Sequence, residues 1–454
     1  MKLIRSISGI RGIIGENFSP TIAAEYAKSF CSIQSGSNPI IIARDTRNQG
    51  YEISQDIKDT VISLGRDVYD IGIAPTPVIQ HLVKKLGASG GIMITASHNP
   101  EQWNGLKFID SDGCFIGKDK NLKLFRNVDQ KSFLENRIQK GESYDKKEEI
   151  SFFINDLFEL DFIDIERIKN KSFKVVVDTV NGANYHLLPQ ILRDLNCKVI
   201  ELYCNSSGKF DRNPEPLPEN LKELGKQVID HSADIGLACD PDGDRLSIVN
   251  EKGIALGEEN TLVLCADDYY SETNSNSPLV TNLSSTMRLD YIAQKNNVDL
   301  FRSAVGEANV IEMMQKKESE IGGEGNGGVI VKKFHLGRDS LVATLMILNK
   351  LSKSSDSISS IANSIPSYCM IKDKISIPKV DLKLLYRFLI EKYPEAEHDQ
   401  RDGLKLIWDN QWVHVRSSNT EPIIRIIAES TTSDTTTSLI DKTIHNINSF
   451  LIED

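Results

Sequence analysis

Residues 91–110 read GIMITASHNPEQWNGLKFID. Gly91–Thr95 is a short apolar run without polar alternation, which predicts a strand buried on both faces. Leu106–Asp110 reads as a second strand. Between them Ala96–Trp103 is polar, and Asn99-Pro100 marks a turn. Open α/β sheets place reactive groups on such loops at strand ends. Ser97 beside His98 has the make-up of an activated nucleophile. The plainer alternative is a strand-end turn in which both side chains satisfy local backbone groups. No Gly-x-Ser-x-Gly elbow surrounds Ser97, which argues against an α/β-hydrolase.

Working outward, the same grammar recurs. Ile40–Ala43, Lys174–Val177, Ile235–Cys239 and Leu279–Thr281 are continuous apolar runs. Tyr51–Leu64 and Leu187–Asn196 carry apolar residues at helical spacing, so the pattern predicts largely parallel sheets covered by helices. Three times a strand leads into a polar loop and then a short strand: Ala96–Trp103 before LKFID, Asp240–Asp244 before RLSIVN, and Gly322–Gly328 before VIV. The repeat is architectural, without residue-level identity between units. Lys118–Glu149 is highly charged and predicts a helical surface excursion. Lys350–Ser367 is Ser-rich and predicts a domain junction. Beyond it a helix at Leu382–Tyr393, strands at Leu404–Trp408, Trp412–Val415 and Ile423–Ala428, and a helix at Leu439–Phe450 predict a small α+β domain. The expected fold is α/β: three doubly wound mixed domains at 1–152, 153–256 and 257–366, then a smaller α+β domain at 367–454.

Bulk properties narrow the function. The 454 residues suit about three domains, give or take one. A net charge of −11 argues against nucleic acid as the partner. Seven cysteines, none at CxxC spacing, read as reduced thiols. The first residues, MKLIRSISGIRG, lack the apolar stretch of a signal peptide, and no run reaches the roughly 20 residues of a membrane span. A cytoplasmic protein without membrane or nucleic-acid partners is expected, as monomer or homodimer.

Three more loops carry chemistry. Asp240–Arg245 (DPDGDR) sets three carboxylates at alternate positions on a turn between strands, a hard oxygen set suited to Mg²⁺ or Ca²⁺. Arg245 stands where an EF-hand needs Gly, so that motif is rejected. The alternative is a solvated acidic turn. Gly322–Gly328 (GGEGNGG) lets backbone approach a ligand closely, while Glu324 and Asn326 offer hydrogen bonds to hydroxyls. A flexible hairpin explains it equally well. Arg416–Pro422 (RSSNTEP), with Arg425 after it, combines arginine with hydroxyl and amide donors, a phosphate cradle or a polar turn.

In this order and at domain-sized intervals, TASHNP, DPDGDR, GEGNGG and RSSNTEP resemble the four signature loops of the α-D-phosphohexomutase superfamily. Ser8–Gly12 (SGIRG) and Asn104–Lys107 (NGLK) match it too, so the resemblance spans nearly the whole chain. It implies four domains arranged around a central cleft, one loop from each. It implies that Ser97, with His98 beside it, carries a phosphoryl group, and that Ser97, Asp240, Asp242 and Asp244 hold Mg²⁺. Lys107 and Arg11 match residues of proton transfer and its electrostatic support. Arg245 sits beside the metal, and Glu324 and Asn326 match positions that grip sugar hydroxyls, although many relatives have Ser where this chain has Asn326. Arg416, Ser418, Asn419, Thr420 and Arg425 match the distal phosphate site. The substrate implied is a hexose phosphate, with a hexose 1,6-bisphosphate as activator. The loop Ala304–Val310 (AVGEANV) resembles that of members acting on glucosamine phosphate, where Glu307 would face an ammonium; members acting on glucose and mannose phosphates are the alternative. A sugar-phosphate sensor would not need Ser97, three Asp and Lys107 together, and a phosphatase would release inorganic phosphate.

Overall fold

The computed structural model describes residues 3–377, 380–417 and 423–453. The chain divides into two compact units, Met1–Ser275 with Glu320–Ala362, and Asn276–Ser319 with Asn363–Asp454.

In the first unit, a seven-stranded sheet runs in the order Ile4–Ser6, Gly9–Ile13, Trp103–Asp110, Gly90–Ile94, Ile40–Arg44, Val68–Ile73, Ser143–Asp145. Ile40–Arg44 pairs parallel with both neighbours, and Gly90–Ile94 pairs antiparallel with Trp103–Asp110. The apolar runs are buried on both faces, as their lack of alternation predicts. Ile40, Ile42, Ile92 and Ile94 share a core with Ala23 and Phe30 of helix Pro20–Ile33 and Ile53 and Ile57 of helix Gly50–Ser63. Ile41 and Met93, at alternate positions, are equally buried, and helix Thr76–Lys85 packs on both of their strands. A second sheet runs Leu246–Asn250, Ile235–Cys239, Lys174–Asp178, Lys198–Leu202, with its inner pairs parallel and its first pair antiparallel. The unit also holds helix Glu259–Thr273, the hairpin Ile321–Glu324/Gly328–Val331, and helix Ser340–Ser352. That last helix is apolar nearly all round and correspondingly buried, and Asp339 caps it by accepting from the N–H groups of Leu341 (2.7 Å) and Val342 (3.1 Å).

In the second unit, Leu279–Asn282 pairs parallel with Leu300–Ser303, and helices Arg288–Lys295 and Glu307–Lys316 accompany them. An antiparallel sheet follows the order Cys369–Ser376, Ile423–Ser430, Gln411–Ser417, Leu404–Trp408, Glu397–Asp399. Its core joins Val413, Val415, Ile424 and Ile426 to Leu385 and Leu389 of helix Leu382–Lys392 and to Ile440 and Ile447 of helix Ser433–Glu453. The chain therefore has three α/β segments and a smaller α+β one.

Three details differ from the sequence reading. Lys118–Glu149 is α-helical only to Asp129; Ser143–Asp145 then adds a parallel edge strand beside Val68–Ile73, and a 3-10 turn follows at Lys147–Glu149. Three exposed polar residues suit an edge, and too few of them carry any period. The Ser-rich junction contains the end of helix Ser340–Ser352 and a short helix, Ile358–Asn363. The last helix begins at Ser433 because its first turn is polar and carries no apolar spacing.

Candidate active site

Ser97 follows the fully buried strand Gly90–Ile94 and takes φ +50°, a left-handed conformation rare for a residue with a Cβ. A network beneath it holds that shape. Thr95 Oγ1 accepts from the Ser97 N–H (2.9 Å) and donates to Asp45 Oδ2 (2.6 Å). Arg47, completely buried and paired with Asp45 (3.0 Å), donates to the carbonyls of Ser97 (2.7 Å), Asn99 (2.7 Å) and Pro100 (2.6 Å). Arg11 reaches the same loop through Asn99 Oδ1 (3.1 Å). His98 Nδ1 lies 3.5 Å from Ser97 Oγ. Burial, then Arg245 and Arg11, push the His98 pKa well below the usual imidazole range, so the ring is neutral.

The acidic loop meets Ser97 directly: Ser97 Oγ lies 3.3 Å from Asp240 Oδ2. The loop turns at Gly243, φ +69°, where a Cβ would come within 2.6 Å of Asn184 Nδ2 and 2.8 Å of Pro75 Cβ. Asp242 and Asp244 are each anchored through one oxygen, and Asp240 through both. Asp240 Oδ1 accepts from the N–H groups of Asp244 (3.1 Å) and Arg245 (3.2 Å). Asp242 Oδ2 accepts from Thr76 Oγ1 (2.6 Å) and Lys107 Nζ (2.5 Å), and Asp244 Oδ2 from Lys107 Nζ (3.0 Å) and Arg338 Nη2 (2.7 Å). Burial alone would lower the Lys107 pKa; Asp242 and Asp244 outweigh it and hold the ammonium above the usual lysine range. Burial, then Asp244 and Asp242, raise the Asp240 pKa well above the usual carboxylate value. Asp244 goes the other way: burial would raise it, but Arg338, Lys107 and Arg245 together lower it.

The donor set fits a metal ion. Asp240, Asp242 and Asp244 are all buried and bring ligand oxygens within 4.8 Å of one another. Asp242 Oδ1 and Asp244 Oδ1 are buried without a hydrogen-bond donor, and Asp240 Oδ2 faces Ser97. Arg245 Nε approaches Asp244 Oδ1 only to 3.7 Å and Asp240 Oδ2 to 3.9 Å, beyond hydrogen-bond distance, so the buried Asp242 and Asp244 oxygens still lack the close partner a metal ion would supply.

The glycine-rich loop joins the same cluster. Leu246 N–H donates to Gly327 O (3.0 Å), which docks the hairpin turn on the strand leaving the acidic loop. Glu324, 3% exposed, accepts from Arg338 Nη1 (2.9 Å), and Asn326 Oδ1 accepts from the Gly328 N–H (3.2 Å). Arg245 reaches Glu215 at 3.3 Å. Thus Ser97, His98, Lys107, Arg11, the three Asp, Arg245, Glu324 and Asn326 converge within one unit.

In the second unit, Arg416 and Arg425 are direct cross-strand partners, and Lys374 pairs with Arg425 from the next strand. The result is a row of three cations on one sheet face. Like charges placed opposite one another are unfavourable without an anion. Asp402 ties this row to the AVGEANV loop, since it pairs with Arg416 (3.3 Å) and accepts from the Val305 N–H (3.0 Å). Glu307 is buried as the first residue of helix Glu307–Lys316. Ser418, Asn419 and Thr420 lie outside the described residues.

Sequence reasoning missed Arg47, Thr76, Arg338 and Lys374. Arg47 follows a buried strand as Asp-x-Arg, which could have been noticed. Arg338 stands in a Gly-Arg-Asp run before a helix cap. Thr76 and Lys374 carry no local signal.

Four models of phosphoglucomutase/phosphomannomutase match in order: α/β/α domain I at residues 2–135, domain II at 151–253, domain III at 258–368, and the C-terminal domain at 380–445. A phosphoglucomutase/phosphomannomutase of Thermococcus kodakarensis is 37% identical over 434 residues, 93% of either chain. A phosphoglucosamine/phosphogalactosamine mutase of Sulfurisphaera tokodaii is 30% identical over 447 residues, 96% of either chain. The crystal structure of a phosphoglucomutase/phosphomannomutase family protein from Burkholderia thailandensis superposes with a TM-score of 0.84 at 25% identity, covering 98% of both chains. The chain belongs to the phosphoglucomutase/phosphomannomutase family, within the α-D-phosphohexomutase superfamily. It is a phosphohexomutase, an intramolecular phosphotransferase, and its buried Asp240, Asp242 and Asp244 could hold a metal ion. No helix among the described residues is long and apolar enough to cross a membrane.

Proposed function

We propose that this phosphohexomutase interconverts glucosamine 6-phosphate and glucosamine 1-phosphate, with Mg²⁺, through a phosphoserine at Ser97 and a hexose 1,6-bisphosphate. The observation that carries the chemistry is the approach of Ser97 Oγ to Asp240 beside Lys107, itself clamped between Asp242 and Asp244. In this reading the phosphoryl group on Ser97 Oγ passes to the free hydroxyl of the bound monophosphate. The sugar turns, and the other phosphoryl group returns to Ser97. Bound Mg²⁺ would supply neutralisation of charge at the transferring phosphoryl oxygens. Lys107 holds and moves the hydroxyl proton at Nζ. Its ammonium can give a proton as it stands, and the amine left by that donation can take the proton of the attacking hydroxyl in the other transfer. Arg11 and neutral His98 steady the Ser97 loop, and Arg245 flanks the metal. Glu324 and Asn326 hold sugar hydroxyls. Arg416 and Arg425, with Ser418, Asn419 and Thr420, hold the phosphate that is not reacting. The four domains of this scheme are 1–152, 153–256, 257–366 and 367–454, each supplying one loop. We place the enzyme in the cytoplasm, where charge retains phosphorylated sugars.

Glucosamine is favoured by buried Glu307 in AVGEANV and by the name of the Sulfurisphaera relative. The Thermococcus relative supports a second reading, glucose and mannose phosphates. Measuring kcat/KM for the three sugar phosphates, with a hexose 1,6-bisphosphate present, separates them. Glucosamine phosphate should give the highest value; a higher value for glucose or mannose phosphate establishes the second reading.

A further inference from the structure

The Arg338 side chain is 9% exposed and spans two functional loops. Nη2 donates to Asp244 in the acidic loop at 2.7 Å, and Nη1 to Glu324 in the glycine-rich loop at 2.9 Å. The chain makes room for it. A Cβ on Gly328 would lie 2.2 Å from Arg338 Cδ and 2.8 Å from Cγ, so only a glycine lets the arginine stem pass the hairpin. The guanidinium is a rigid planar fork that fixes the directions of two carboxylates through two separate nitrogens, whereas an ammonium, as at Lys107, draws its carboxylates to one nitrogen.

Two effects of opposite sign follow. A fixed positive charge in contact with a metal-ligand carboxylate opposes the arrival of a second cation there. The same charge fixes the direction in which Glu324 presents its carboxylate. We propose that Arg338 is a positioning residue that couples sugar recognition to metal binding: it orients Glu324 for the sugar hydroxyls while weakening the metal's hold at Asp244. The inference rests on reading Asp240–Asp244 as the metal site and Glu324 as a sugar contact.

The test compares R338M, R338K and D244N with the wild type. Mn²⁺ binding to the unphosphorylated chain is followed by electron paramagnetic resonance, and KM and kcat for glucosamine 6-phosphate are measured separately. R338M should bind Mn²⁺ roughly tenfold more tightly, because a contact repulsion is gone. Its KM should rise about tenfold, with a smaller change in kcat, because Glu324 loses a charge-assisted bond. R338K keeps the charge but offers one nitrogen in place of two directed ones; its Mn²⁺ affinity should stay near wild type while KM rises. A purely structural role would weaken metal and sugar binding together. Unchanged or weaker Mn²⁺ binding in R338M overturns the proposal, as does an unchanged KM in R338K. If R338M does not fold, R338K alone decides. D244N separates the two layers. If it leaves Mn²⁺ binding unaltered, the metal-site reading itself fails. If it weakens binding while R338M does not tighten it, only the role of Arg338 fails.

Discussion

Ser97 sits at φ +50°, a conformation that costs a non-glycine residue about 1–3 kcal/mol. The three carbonyls gathered by Arg47 offset that cost and aim Oγ at the acidic loop. R47K keeps a cation beside Asp45 but cannot gather three acceptors in the same plane. A misplaced reacting group costs roughly 100-fold in rate, so kcat should fall by about that factor. KM for the sugar phosphate should change little, and steady-state kinetics on the folded variant checks both. At Glu307 two roles compete. An acid in the first turn of a helix is favourable anyway. A carboxylate reading an ammonium would contribute about 1–3 kcal/mol more, or roughly 5- to 150-fold. E307Q should therefore reduce kcat/KM for glucosamine phosphate much more than for glucose phosphate. Equal losses would leave Glu307 a helix-end acid.

At the scale of elements, the row Lys374–Arg425–Arg416 crosses three antiparallel strands. R416A should raise KM for the sugar phosphate about 10- to 100-fold, the loss of a charge-assisted phosphate contact. The melting temperature should barely move, because a cross-strand repulsion is removed along with the half-buried pair to Asp402, and the two losses offset. A lowered melting temperature with unchanged KM would make the row structural. This row also shows where reading the sequence stops. Arg416 and Arg425 stand near a polar turn and were legible; Lys374 enters only through strand register, which no local pattern records. Ser97 and the three Asp were legible because each set occupies one strand-end loop. Arg47 lies 50 residues before Ser97 in the chain. It acts on backbone carbonyls, which leave no trace in side-chain composition. Sheets and helices followed from apolar runs, whereas polar helix turns and the three-residue edge strand carried no period to read.

For the molecule as a whole, acid sensitivity follows from a buried histidine. His414 donates to Asp402 O (2.6 Å) and lies 2.8 Å from Ser284 Oγ; Lys405, Arg416 and Asp402 are the charged groups around it. Burial first, and then Lys405 and Arg416, lower its pKa from 6.5 to about 4. The folded state thus resists a proton that the unfolded chain accepts. Its contribution to stability is complete above pH 6.5 and is lost as pH falls toward 4, amounting to about 2 kcal/mol at pH 5. Thermal unfolding at pH 7 and pH 5 should show a larger drop for the wild type than for H414Q, which cannot titrate; equal drops would remove His414 as the cause. Whether Ser97 carries the phosphate is read from the phosphoryl group itself. The enzyme is incubated with a hexose 1,6-bisphosphate, its mass and the modified peptide are determined, and glucosamine 6-phosphate is then added while inorganic phosphate is followed. One phosphoryl group should be found, on Ser97, and should leave for the sugar without release of inorganic phosphate. Phosphorylation at another residue, none at all, or stoichiometric release of phosphate would contradict this reading.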